Sequence, residues 1–267
     1  MIGELPPCAV LLRGFAIDFL TSHDAAEVER IMDPAYCLSI GGFLLDGRDD
    51  AYLPATAAQL AQFPGLCVTV HDAVIGDNHV AMRFTEHGAS IRDGGHVAAW
   101  GGVTLFRIEN GRLAQGWAEE DYFARKRQLR SGRCDPIRAP AAAPWDQPCE
   151  PPNAQTEQAA RAWLARPDAL FDVEVESVLV DDPAFAELIE PDEVRLNAFF
   201  SAGSRVAFHL DLSGRYRGGF EDVDRARIGS PAILRLAGLV DVRDGRVARA
   251  QISGDRLGLQ RSLLGRG

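Results

Sequence analysis

HVAAWGGVTLFRIENGRLAQGWAEEDYF, residues 96–123, is the stretch on which the fold turns. Residues 96–113 contain a long apolar strand ending at Asn110–Gly111, and 112–123 read as the return strand. An Asn-Gly pair between two strand-forming runs marks a two-residue hairpin turn, because both residues tolerate positive φ. Upstream, LCVTVHDAVIGDN (66–78) and HVAMRFTEHGASI (79–91) alternate apolar and polar residues and then turn. Four successive strands are therefore expected, paired as an antiparallel meander.

Helices precede them. Residues 9–20 carry apolar clusters at helical spacing, and AAEVERIM (25–32) follows a capping Thr21 or Ser22. Pro34 ends that helix. The glycine-rich stretch CLSIGGFLLDGRDD (37–50) reads as a loop or a lining segment, and PATAAQLAQF (54–63) as a third helix with Pro54 in its first turn. ARKRQLR (124–130) reads as a short basic tail. Helices first and an antiparallel meander second make an α+β pattern.

Residues 131–155 are rich in proline, alanine and small polar residues and have no periodicity. They divide the chain into a first domain (1–130), a linker (131–155) and a second domain (156–267). Trp145 suggests that the linker packs on both. Beyond it come a helix at 156–167, a strand and turn at 171–182, a short helix or irregular insertion at 183–189, strands at 204–214 and 231–247, and a closing strand and tail at 248–264. The two halves overlay: NGRLAQGWAEED (110–121) sits on DGRVARAQISGD (244–255), pairing Gly111 with Gly245, Arg112 with Arg246 and Asp121 with Asp255. HVAMRFTEHG (79–88) sits on RVAFHLDLSG (205–214). A pattern held across three strands points to an internal duplication.

Composition narrows the function classes. The 267 residues carry a formal charge of −10 and no basic stripe with interleaved aromatics, which argues against nucleic acid as a partner. Five cysteines, an odd number without a C-x-x-C pair, argue against a disulfide framework or a zinc knot. Arg13 and Asp18 interrupt the N-terminal apolar run, so no signal peptide or membrane span is expected, and the expected location is cytoplasmic. The six histidines lack H-x-x-H or H-E-x-x-H spacing, and no glycine pair has a strand–loop–helix context. No metal and no cofactor are expected.

The run Phe106–Asp121, F-R-I-x-x-G-R-L-x-x-x-W-x-x-x-D, resembles the fingerprint of the SnoaL-like polyketide cyclase group of the NTF2-like superfamily. The likeness spans residues 9–130. It is weaker over 156–264, where Gln251 replaces the fingerprint tryptophan and Asp255 keeps the aspartate. It implies two cone-shaped domains, each with helices packed on a curved antiparallel sheet around a pocket. It also implies an acid/base role for the aspartate after the tryptophan, here Asp121. The histidine that many members carry after the second helix is replaced here by YCLSIGG, and the arginine–aspartate relay of limonene-type epoxide hydrolases is not recognisable.

Candidate catalytic residues are Asp121, Glu86 and His96. Trp117, Glu119 and Asp121 share a strand face, and a carboxyl beside an indole in a concave pocket has a raised pKa. Glu86 shares parity with Met82 and Phe84 and either joins them inside or sits at the mouth next to Gly88. His96 lies four positions before Trp100 on the same face and is a candidate to polarise a carbonyl oxygen. Trp117, Trp100, Tyr36, Phe84, Met82 and Phe106 are expected to contact substrate, with Tyr36 as a hydrogen-bond donor. In the second domain Phe208, Leu210 and Leu212 face inward and His209 and Asp211 outward, leaving Asp255 and Tyr216 as its only polar candidates.

The expected function is cofactor-free acid/base catalysis on a hydrophobic small molecule, by polyketide-type cyclisation or isomerisation. The alternatives are an epoxide hydrolase or epoxide-opening cyclase, and a non-catalytic binding or scaffold protein. The halves are expected to form an intramolecular pair, sheet to sheet, in place of or alongside a homodimer.

Overall fold

Asn110 and Gly111 take φ values of 50° and 72°, the left-handed pair that a two-residue hairpin requires. They belong to a computed structural model that describes residues 4–171, 174–175 and 182–265.

The chain begins with α1 (Pro7–Arg13), which continues as a π-helical segment (Gly14–Thr21), and α2 (Ala25–Ile31). Asp24, not Thr21 or Ser22, caps α2, accepting the N–H of Ala26 at 3.0 Å. Next come β1 (Met32–Ile40), β2 (Phe43–Asp46), α3 (Leu53–Gln62), β3 (Cys67–Ile75), β4 (His79–Ala89), β5 (Val97–Glu109), β6 (Arg112–Glu120) and α4 (Tyr122–Ser131). Two expectations are corrected here. Residues 37–50 are not a loop but contain a hairpin, because Gly41 and Gly42, with φ of 57° and 80°, close a tight turn between β1 and β2; the alternative of a lining segment agrees with the structure. Residues 124–130 are part of a helix, capped by Asp121 and ended by left-handed Gly132.

The second half runs α5 (Ala154–Leu164), β7 (Glu174–Val175), α6 (Phe185–Leu188), β8 (Ile189–Ala202), β9 (Arg205–Tyr216), β10 (Pro231–Arg243), β11 (Arg246–Gly254) and α7 (Arg256–Leu263). Most of the strand expected at 171–182 lies outside the described residues. The 14-residue β8 has no counterpart in the sequence reading. Its EPDEV start breaks the alternation on which such a reading depends.

The first sheet has the order β2-β1-β6-β5-β4-β3 and the second β7-β11-β10-β9-β8. Both are antiparallel except where β1 runs parallel to β6 and β7 to β11. The fold is therefore α+β in two helix-and-sheet units. The repeat is visible in backbone detail. β5 and β10 have 13 residues each, and β6 and β11 have nine. Each hairpin carries one bulge at the matching place, leaving Ala114 and Ala248 without partners.

One face of each sheet holds its own helices. In the second half Trp163 of α5 meets Phe208 edge-on, with ring centroids 5.9 Å apart, and Leu164, Leu259 and Leu263 complete that core. The other faces pack on each other, burying Val103, Leu105, Phe200 and Leu239 in a third cluster. The linker runs between the halves: Glu150 N–H donates to Ile75 O at 3.0 Å, and Gly203 N–H to Pro151 O at 3.0 Å. Among the described residues no helix is long and apolar enough to cross a membrane.

Candidate active site

A cavity of about 110 Å³ lies between the helices and the inner face of the first sheet. Its floor comes from alternate residues of three strands: Phe84 and Glu86 of β4, Thr104 and Phe106 of β5, and Ala118 and Glu120 of β6. Leu38, Ile40 and Leu45 of the β1–β2 hairpin form one wall, and Gln59 of α3 and Tyr122 at the start of α4 stand at the polar end.

Two carboxyl groups meet at that end. Glu86 pairs across β4–β5 with Trp100, and Glu120 pairs across β5–β6 with Gly102, two residues further along the same face. A side chain at Gly102 would collide with the Phe84 ring and with Glu120, so glycine leaves the space into which the carboxyls converge. Both are buried, at 2% and 9% exposure, and they hydrogen-bond each other. Glu86 Oε2 also accepts from Gln59 Nε2 at 2.6 Å, while Glu120 Oε2 accepts from Trp100 Nε1 at 2.9 Å. The Tyr122 side chain adds a further hydrogen bond to Glu120. Arg125 lies over the rings of Tyr122 and Trp100, 4.3 and 5.0 Å from their centroids, and bonds Gln59 Oε1 at 3.3 Å.

The electrostatics separate the pair. Burial, and then the charge of Glu120, raise Glu86 well above the ordinary carboxyl range. Burial raises Glu120 too, but Trp100, Arg125, Tyr122 and Glu86 all oppose the shift. Two like charges in contact in a dry site cannot both persist, and the group with more donors keeps the charge. Glu86 is thus the protonated partner and Glu120 the ionised one, a division of the kind that acid–base catalysis uses.

The other expected residues fall on both sides of the cavity wall. Tyr36, Phe84 and Phe106 line it with Glu86. Trp100 supports it through Glu120, and Met82 is buried in the adjoining core. The Tyr36 hydroxyl is buried without a hydrogen-bond partner, and burial holds its pKa well above the usual value, so it stays protonated.

Asp121 does not enter the cavity. It accepts the N–H of Ala124 at the start of α4 and forms an ion pair with the fully buried Arg256 of the second half. Trp117 shares its face and packs into the cluster between the sheets. The physical reason is the bulge at Ala114, which turns Ala118 and Glu120 inward and Trp117 and Glu119 outward. His96 is exposed, with Nδ1 2.6 Å from Leu129 O, and serves the end of α4. Asp255 repeats the cap of Asp121, accepting the Gly258 N–H at 2.7 Å. Tyr216 accepts the Phe220 N–H at 3.0 Å inside the second core.

Residues 13–116 match the family model of the SnoaL-like domain. The match ends at Gly116, so the Glu120 end of the cavity lies beyond it. Solved structures similar to about half of this chain include IdmH of Streptomyces antibioticus, a candidate polyketide cyclase. It has 20% identity and a TM-score of 0.40 over 46% of this chain and 98% of that one. TsrD of Streptomyces laurentii has 22% identity and a TM-score of 0.41 over 47% and 98%. AclR of Streptomyces galilaeus, a candidate hydroxylase, has 15% identity and a TM-score of 0.42 over 48% and 98%. No curated protein matches the chain.

Around the cavity, sequence reasoning missed Glu120, Gln59 and Arg125. The signal for Glu120 was present as Glu119–Glu120–Asp121, three acids in a row that strand alternation must divide between two faces.

Proposed function

We propose that the N-terminal half, residues 1–130, is a cofactor-free acid–base enzyme for an apolar small molecule, with Glu120 as the base and Glu86 as the acid. The observation that carries this reading is the pair of hydrogen-bonded, buried carboxyls at one end of an otherwise apolar cavity. Glu120 takes a proton from the carbon next to a carbonyl, and Glu86 returns one to oxygen or to another carbon. That sequence isomerises an enone. With a second carbonyl in the same molecule, it closes a ring by aldol addition. The cavity is close in size to one of about 150 Å³ that holds benzene, so it encloses roughly one ring of the substrate. Residues 131–155 act as a linker, and 156–267 form a divergent second unit.

A second reading, a binding protein, is favoured by one observation. Gln59, Glu86, Glu120 and Trp100 already satisfy one another, as in a network that only shapes a site. Solvent-deuterium exchange into small cyclic ketones, followed by NMR, separates the two. The enzyme reading expects exchange that Glu120→Gln abolishes. Equal rates for wild type and E120Q, with ligand recovered unaltered, leave the binding reading standing.

A further inference from the structure

The C-terminal half raises its own question, because Trp163, Phe208 and the leucines of α5 and α7 pack its inner face, where the first half has its cavity. Its contacts with the first half are not only apolar. His209 of β9 is buried at the sheet–sheet junction with Nε2 2.9 Å from Glu119 Oε1. Asn197 Nδ2 lies 2.9 Å from Asp211 Oδ1 and 3.2 Å from His209 Nδ1. A carboxylate only accepts, so the Asn197 amide nitrogen must face Asp211, and its second hydrogen then goes to His209 Nδ1. That leaves the proton of neutral His209 on Nε2, aimed at Glu119. Arg195 closes the far end as the ion-pair partner of Asp211.

On the near end, the Glu119 carboxyl, which burial pushes well above the ordinary carboxyl range, is opposed in that shift by the backbone N–H of Gly41 at the tip of the β1–β2 hairpin, and its Oε2 has no hydrogen-bond partner. The next residue, Gly42, is seated against the second half so closely that a β-carbon there would lie 2.6 to 2.9 Å from the Arg235 guanidinium. Apart from this tip the hairpin is held through β1, whose residues 37–40 pair with residues 115–118 of β6. β2 is an edge strand, and Phe43 and Leu44 are 67% and 61% exposed. Yet Leu38, Ile40 and Leu45 of this hairpin form a wall of the cavity. Glu119 is also the chain neighbour of Glu120, so whatever holds the one limits the freedom of the other.

We infer that the C-terminal half is a brace for the cavity: His209 is a positioning residue that orients Glu119, and Glu119 holds the tip of the hairpin that walls the ligand site. The functional meaning rests on reading the cavity as a ligand site, but the brace itself is read without any turnover.

Hydrogen exchange on the full chain tests it, comparing wild type with His209→Leu and His209→Gln. Loss of the His209 bond should speed exchange in residues 38–46 by about tenfold, the equivalent of one hydrogen bond, and leave residues 100–106 of β5 unchanged. H209Q, whose amide N–H can still reach Glu119, should restore the wild-type rate in the hairpin. Should H209L fail to fold, Asn197→Leu keeps the imidazole but releases its tautomer, and a smaller acceleration confined to 38–46 is expected. The brace is overturned if hairpin exchange is unchanged, if β5 accelerates equally, or if H209Q does not restore the rate. Failure of the acid–base reading would show separately, as E120Q exchanging ketone protons like wild type.

Discussion

The indole N–H of Trp100 is directed at Glu120, 2.9 Å from Oε2, from the β5 position opposite Glu86. One buried donor thus stands between two buried carboxyls and favours the charge on only one of them. This asymmetry gives the pair distinct roles and makes them separable by substitution.

Glu86→Gln should keep the fold and lose the proton donor. The Gln amide donates to Glu120 as the protonated acid does, so thermal stability near neutral pH should match or exceed wild type. Turnover should fall by roughly 10²–10⁴-fold, as when a positioned acid or base is removed. Differential scanning calorimetry and a turnover assay on the same preparation check both halves of the expectation.

Stability should depend on pH through Glu86 in a definite direction. The folded state keeps a proton that the unfolded chain releases above the ordinary value of 4.5. The stabilisation is therefore complete below that value and is lost as pH rises toward the raised folded value. Wild-type Tm should fall across this window more steeply than that of Glu86→Gln. Parallel Tm–pH curves for the two proteins would refute the assignment of the proton to Glu86.

Asp121→Asn should damage stability and spare chemistry. It leaves the fully buried guanidinium of Arg256 with Asp182 at 3.4 Å as its remaining carboxylate. Breaking a buried ion pair from one side costs on the order of 3 kcal/mol. Urea unfolding should show that loss, while kcat at a temperature where the variant is folded stays within a few-fold of wild type.

Gly116→Ala should close the cavity from the sheet side. A β-carbon at this position would overlap the Tyr36 hydroxyl, which occupies the niche that glycine leaves. Overpacking of this kind costs about 1–3 kcal/mol, and binding of a ring-sized ligand such as benzene should be lost. Tyr36→Phe removes only an unpartnered hydroxyl and should leave Tm equal or higher. Calorimetric titration and thermal melts of the two variants check these outcomes.

Much of the fold was legible because its signals are local. The Asn110–Gly111 and Asp244–Gly245 turns, the helix–meander order and the overlay of the halves all follow from neighbours in sequence. Parity also grouped Met82, Phe84 and Glu86 on one face of β4 without deciding whether Glu86 lay inside or at the mouth, and the structure turns that face inward. The β1–β2 hairpin was less legible, since a four-residue edge strand is too short to show a period.

What the sequence by itself determined is the kind of elements, their order and the presence of three consecutive acids at the end of β6. Only the tertiary structure decided what each acid does. Glu119 meets His209 across the sheets, Glu120 faces the cavity with Glu86, and Asp121 caps α4 and binds Arg256. The reason is geometric: side chains alternate with a period of two, so the single unpaired residue at Ala114 exchanges the faces of everything after it. The bulge itself is local to the β5–β6 hairpin, but which face meets the helices and cavity and which meets the second half is set by packing between distant parts of the chain.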